Sequence, residues 1–122
     1  MSAVVPILRQ GHYLIASIQA ALTDSEMKAF QVDLLERVGA ERARGIIVDV
    51  GGLDVIDSYG ARSLTDLAAT LRLRGARMVV VGIKPDVAFS MVRFGLDMRR
   101  LDTVLDLEEA LQFLDRWAAE TV

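Results

Sequence analysis

Gly45-Ile46-Ile47-Val48-Asp49-Val50-Gly51-Gly52-Leu53-Asp54-Val55-Ile56-Asp57-Ser58-Tyr59-Gly60-Ala61-Arg62-Ser63-Leu64 is the stretch that decides the fold. Ile46–Val50 is an apolar run broken only by Asp49, the pattern of a central strand covered on both faces. Gly51-Gly52 marks a turn, and the acidic stretch Asp54–Asp57 follows it. A helix then opens at Ser58, with Ala61, Leu64, Leu67, Ala68 and Leu71 on one face and Gly75 placed to end it. Strand, acidic turn and helix in that order place one serine at a helix start, where backbone N–H groups lack helical partners and the macrodipole is positive. A phosphoryl group on Ser58 meets favourable electrostatics there, so Ser58 is the candidate switch residue. As a plain helix cap its hydroxyl contributes roughly 1 kcal/mol. Asp57 is equally placed for that cap, and Ala61, at the third position after Ser58, offers nothing to complete a capping box.

Upstream, Val4–Leu8 and Tyr13–Ile18 are β-branched-rich runs on either side of Gln10-Gly11-His12, which predicts an antiparallel strand pair. Thr23-Asp24-Ser25-Glu26 has the form of a capping box, with Leu22 and Met27 placed as a hydrophobic staple. Met27, Phe30, Leu34 and Val38 then form one apolar stripe, predicting a helix of about fifteen residues. Downstream, Met78–Val81 reads as the next central strand. Pro85 opens a short helix that covers the sheet edge, with Val87, Met91 and Val92 on its apolar face and Gly95 at its end. Asp102–Leu105 predicts a last strand, and Asp106 with Glu109 caps a final helix whose apolar face is Leu107, Ala110, Leu111, Leu114 and Trp117. Strands alternating with helices make an α/β domain whose mixed, mostly parallel sheet has about five strands, with four helices around it.

A chain of 122 residues that is 52% hydrophobic and 25% charged fits one domain, residues 1–122, with a substantial core. Its net charge of −3 argues against a nucleic-acid surface or an anionic membrane as partner. Arginines do cluster, at Arg72, Arg74 and Arg77 and at Arg99 and Arg100, and read as solvated helix ends. The absence of cysteine removes disulfides and thiolate metal sites. The N-terminal apolar stretch lacks the form of a signal peptide, and no apolar run is long enough to span a bilayer. A cytoplasmic protein without metal or cofactor is the expectation. Catalysis by Ser58 would need a base, and the one histidine, His12, lies in a turn between the first two strands. The G-x-S-x-G elbow is absent as well. A kinase substrate needs less: an accessible hydroxyl, a loop able to enter the kinase, and a place for the product dianion. The expectation is therefore a non-enzymatic protein.

The step from a short apolar strand to Asp57-Ser58-Tyr59-Gly60 resembles the phosphorylation loop of STAS domains, the anti-sigma-factor-antagonist fold. The resemblance extends through Pro6–Gly11, Leu22-Thr23-Asp24, Leu71–Arg77, Val81–Phe89 and Leu105–Glu109, which together span most of the chain. Within that family the sequence is most similar to the small stressosome proteins of the RsbS type. The resemblance implies a single STAS domain acting as a scaffold. With sensor paralogues that carry a C-terminal STAS domain, such proteins self-associate into a large cytoplasmic assembly. That assembly holds a switch serine/threonine kinase of the anti-sigma type and releases it when STAS residues are phosphorylated.

Ser58 matches the family's phosphorylated serine, and Asp57 and Gly60 match its neighbours. Asp54, Val55, Ile56, Asp57, Tyr59 and Gly60 form the candidate partner-docking loop. Val55, Ile56 and Tyr59 supply its apolar part unless Val55 or Ile56 turns into the core. Because the chain opens at its first strand, no sensor domain is expected. A simple anti-sigma-factor antagonist under the same serine control is the nearest alternative. A receiver-like phosphoacceptor draws on Asp49 and Lys84-Pro85 but lacks an acidic pair after the first strand to hold Mg²⁺. A small-molecule-binding domain lacks a glycine-rich phosphate loop. Phe94 and Met98 are candidates for partner contacts or for the core.

Overall fold

The computed structural model describes residues 5–120. A five-stranded sheet is ordered β1-β2-β3-β4-β5, with β1 (Ile7–Gln10), β2 (Tyr13–Ser17), β3 (Gly45–Asp49), β4 (Arg77–Val81) and β5 (Asp102–Val104). Only β1 and β2 are antiparallel; the remaining neighbours are parallel. The helices are α1 (Asp24–Glu41), α2 (Ser58–Leu73), α3 (Pro85–Arg93) and α4 (Leu107–Glu120), with a 3₁₀ turn at Met98–Arg100. The mixed sheet, the N-terminal antiparallel pair and the four helices are those expected from the sequence.

The strand pattern divides the core into two layers. Leu14, Ala16, Ile46, Val48, Met78 and Val80 point to the face covered by α1, α2 and α3, against Phe30, Leu34, Leu64, Leu71 and Met91. Tyr13, Ile47, Val79 and Val81 point the other way, where α4 covers them with Ala110 and Leu114. Ile46, Ile47 and Val48 are fully buried in succession, as a strand covered on both faces requires.

Several boundaries move for local reasons. The first strand begins at Ile7, late in the Val4–Leu8 run, of which Val4 lies outside the described residues. It extends to Gln10, which pairs with Tyr13 and leaves Gly11-His12 as a two-residue turn with φ +62° at Gly11. The first helix runs 18 residues; both capping-box bonds form, Glu26 N–H to Thr23 Oγ1 at 3.1 Å and Thr23 N–H to Glu26 Oε1 at 2.8 Å. On α3, Val87 and Met91 are buried but Val92 is 64% exposed. One residue rotates a helix by about 100°, so Val92 leaves the face that Met91 occupies. Leu107, in the first turn of α4 beyond the end of three-residue β5, is also exposed. Phe94 and Met98 are half-buried against the larger core layer.

Candidate switch site

The β3–α2 connection crosses the C-terminal edge of the sheet. Asp49 at the end of β3 turns its carboxylate back, and Oδ1 accepts from Gly51 N–H at 2.8 Å. Leu53 N–H then donates to Val50 O at 2.9 Å, and the Leu53 side chain is buried. Gly52 is needed here, because a Cβ on it would lie 2.8 Å from both Cα and the carbonyl oxygen of Gln19 after β2. The two backbones touch, and the loop is thereby seated against the β2–α1 connection.

Asp57 takes the cap of α2. Its backbone is extended, its Oδ1 accepts from Gly60 N–H at 2.7 Å, and its carbonyl accepts from Ala61 N–H at 3.0 Å. Ser58 is therefore the first helical residue and not the cap, which corrects the reading of a helix opened by the serine hydroxyl. A carboxylate placed one residue before the hydroxyl wins because it brings full charge to the positive helix end. Ser58 is exposed, and its hydroxyl makes no hydrogen bond among the described residues. The amides of Ser58 and Tyr59, in the first turn, have no helical acceptor by position.

The remaining loop residues divide between solvent and core. Asp54 and Asp57 are exposed, and Val55 is 66% exposed. Ile56 and Tyr59 are half-buried against the core, and Gly60 is buried. At Gly60 a Cβ would meet Asp57 Oδ1 at 3.1 Å and Ile56 Cγ1 at 3.2 Å, so glycine lets the capping carboxylate and Ile56 close over the first turn. Beneath the loop lies an apolar recess of about 130 Å³ whose wall includes Leu22, Met27, Val55, Ile56 and Leu64.

Lys84 is the member that the sequence reading left out of the loop. Its Nζ donates to Asp54 Oδ1 at 2.7 Å, tying the β3–α2 loop to the start of α3. The hydrogen bond and the charge of Lys84 hold the Asp54 carboxyl below the ordinary carboxylate range. The lysine-proline step thus serves an ion pair across 30 residues of sequence, and Asp49 is occupied by its own turn. His12 is at the other end of the sheet, where its carbonyl accepts from Arg44 N–H just before β3. No helix among the described residues is long and apolar enough to cross a membrane.

The family profile of the STAS domain matches residues 5–115. The chain belongs to the STAS domain family. Its STAS fold superposes on the S58E form of RsbS from Moorella thermoacetica with a TM-score of 0.83 and 32% identity, over 94% of this chain and 97% of that one. A chain from the stressosome, described as a signal integration and transduction hub, gives a TM-score of 0.75 at 30% identity, over 93% and 98% of the two chains. Among curated relatives, the STAS domain is 28% identical over 85 residues to the RsbT co-antagonist protein RsbRA of Bacillus subtilis. That match takes in 70% of this chain but 31% of RsbRA, so the chain spans about a third of that relative. It is also 37% identical over 67 residues to the uncharacterized protein YezB of the same organism, over 55% of this chain and 68% of that one.

Proposed function

We propose that this STAS domain is a non-enzymatic scaffold and gate in a stressosome. It captures a switch serine/threonine kinase of the anti-sigma type through the loop from Asp54 to Gly60 and releases it when Ser58 is phosphorylated. The observation that carries this reading is the uncommitted hydroxyl: Ser58 is exposed at the head of α2 while Asp57 does the capping. Modifying Ser58 therefore costs the fold no existing bond.

The same geometry supplies a mechanism of release. A phosphoryl group brings about −1.5 to −2 charges to a helix start that Asp57 already occupies. Dianion and carboxylate compete for the amides of the first turn, and Asp54 adds repulsion from the loop. The loop surface changes in charge and conformation while the sheet beneath stays in place. Val55, exposed, and Ile56 and Tyr59, half-exposed, give the kinase an apolar contact next to the serine it modifies.

The setting is supported by the relatives, which include a stressosome chain, an RsbS and an RsbT co-antagonist. In this reading the chain works in the cytoplasm as one STAS domain, assembled with copies of itself and with sensor paralogues. The test is kinase retention by the immobilised protein in the presence of ATP. Ser58→Ala should hold the kinase indefinitely, and Ser58→Asp should bind it at least about tenfold more weakly. Equal binding by Ser58→Asp and wild type would sink the proposal.

A further inference from the structure

The end of the sheet opposite Ser58 gathers arginines, and their pairing is uneven. At the margins they are neutralised: Arg9 and Arg37 share Glu41, and Arg72 and Arg77 share Asp102. Arg42 and Arg44, from the α1–β3 connection, and Arg74, after α2, line one concave pocket of about 280 Å³ floored by Gly39 and Gly75. None of these three forms an ion pair with a described carboxylate. Arg44 lies over the Trp117 ring, 5.3 Å from its centroid, a contact that uses the guanidinium face and leaves its N–H edge for other partners. Arg74 Nη2 is 3.2 Å from the position of a Cβ on Gly39, so the glycine gives the guanidinium its place against α1. Arg42 caps the C-terminus of α1 in the left-handed conformation, φ 52°, its N–H donating to Val38 O, and its side chain forms no ion pair among the described residues.

Compensation of helix ends accounts for part of this charge. The C-termini of α1, α2 and α4 all lie at this end, α4 through the contacts of Asp115 with Tyr13 and of Trp117 with Arg44, and each contributes about half a negative charge. Set against three guanidinium groups, that leaves a surplus of about one and a half positive charges. We propose that this pocket is an anion site for a small phosphate-bearing molecule. Guanidinium forks match phosphate oxygens in pairs, and a phosphate group balances the surplus. The volume is several times the roughly 30 Å³ of a water molecule, which leaves room for part of the group that carries the phosphate. The site is separated from Ser58 by the length of β3, about 16 Å at 3.3 Å per residue, so it stands or falls independently of the switch.

Titration calorimetry of the full chain with inorganic phosphate and pyrophosphate, at about 0.1 M ionic strength, tests the site. Saturable one-to-one binding is expected, with pyrophosphate the tighter. Arg42→Asn, which tolerates the left-handed backbone, and Arg74→Gln should each weaken it at least about tenfold. Arg100→Gln, outside the pocket, and Ser58→Glu should leave it unchanged. Absence of saturable binding would overturn the proposal, as would equal weakening by Arg100→Gln, which would mean diffuse charge attraction. Loss of a self-associated species in the Arg42→Asn/Arg74→Gln double variant, with no phosphate binding by wild type, would overturn it in favour of docking by an acidic protein surface.

Discussion

Asp57→Ala and Ser58→Ala, adjacent substitutions at the head of α2, should differ sharply in their effect on stability. Asp57 holds Gly60 N–H at 2.7 Å and puts a carboxylate at the positive helix end. Loss of such a cap costs about 1 kcal/mol, and loss of the charge–dipole attraction adds about 0.5 kcal/mol. Unfolding entropy near 2.1 cal/mol/K per residue over the 122-residue chain converts that sum into a fall in Tm of about 6 °C. The Ser58 hydroxyl forms no hydrogen bond among the described residues, so Ser58→Ala should stay within about 0.5 kcal/mol of wild type, a shift of about 2 °C or less. Differential scanning calorimetry of the two variants in one buffer reads both values. If Ser58→Ala lowers Tm as much as Asp57→Ala does, the hydroxyl is capping the helix. The claim that the fold leaves it free for modification would then be refuted.

Lys84→Ala should leave Tm nearly unchanged, since exposed ion pairs contribute little, yet amide exchange across residues 51–56 should accelerate because Asp54 loses its tie to α3. The Asp54 pKa is depressed below 3.8, so its contribution is present above that pH and is lost as pH falls through the folded value. Wild type should therefore show the same loosening in strong acid, and an acid step that persists in Lys84→Ala would contradict the assignment. Tyr13 Oη donates to Asp115 Oδ1, and burial together with that bond pushes the phenol up to about 12 from 10.0. Its stabilisation is fully present below pH 10 and disappears as pH rises toward 12. Urea midpoints of wild type should fall through that window relative to Tyr13→Phe, and parallel curves would refute the coupling. Gly52→Ala forces a Cβ to within 2.8 Å of the Gln19 backbone and should cost about 1–3 kcal/mol; an unchanged urea midpoint would mean that the two loops are not locked together.

Elements with strong local signals were legible in the sequence. The Thr23–Glu26 capping box, the Pro85 helix start, the Gly75 stop and the α2 stripe all appear where their chemistry requires. Asp57 and Ser58 were both admissible as caps by composition, and the choice depended on the backbone angle at Asp57. Val92 and Leu107 carry the right residue type but sit at helix positions that the short β5 and the turn of α3 leave uncovered. The Lys84–Asp54 pair was beyond local pattern, since only the parallel pairing of β3 with β4 brings their loops together. Of the three pocket arginines only Arg74 belonged to a cluster visible in the sequence; Arg42 and Arg44 come from another connection, and which arginines lacked carboxylates depended on where Glu41 and Asp102 fell in space.

The most direct test of the switch is phosphopeptide mass spectrometry on the protein isolated from its own cells before and after stress. The account predicts a phosphoryl group on Ser58 whose occupancy rises with stress, while Thr23, Ser25 and Ser63 stay unmodified. A Ser58 that remains unmodified under stress would contradict it, and the loop would then be a static contact surface.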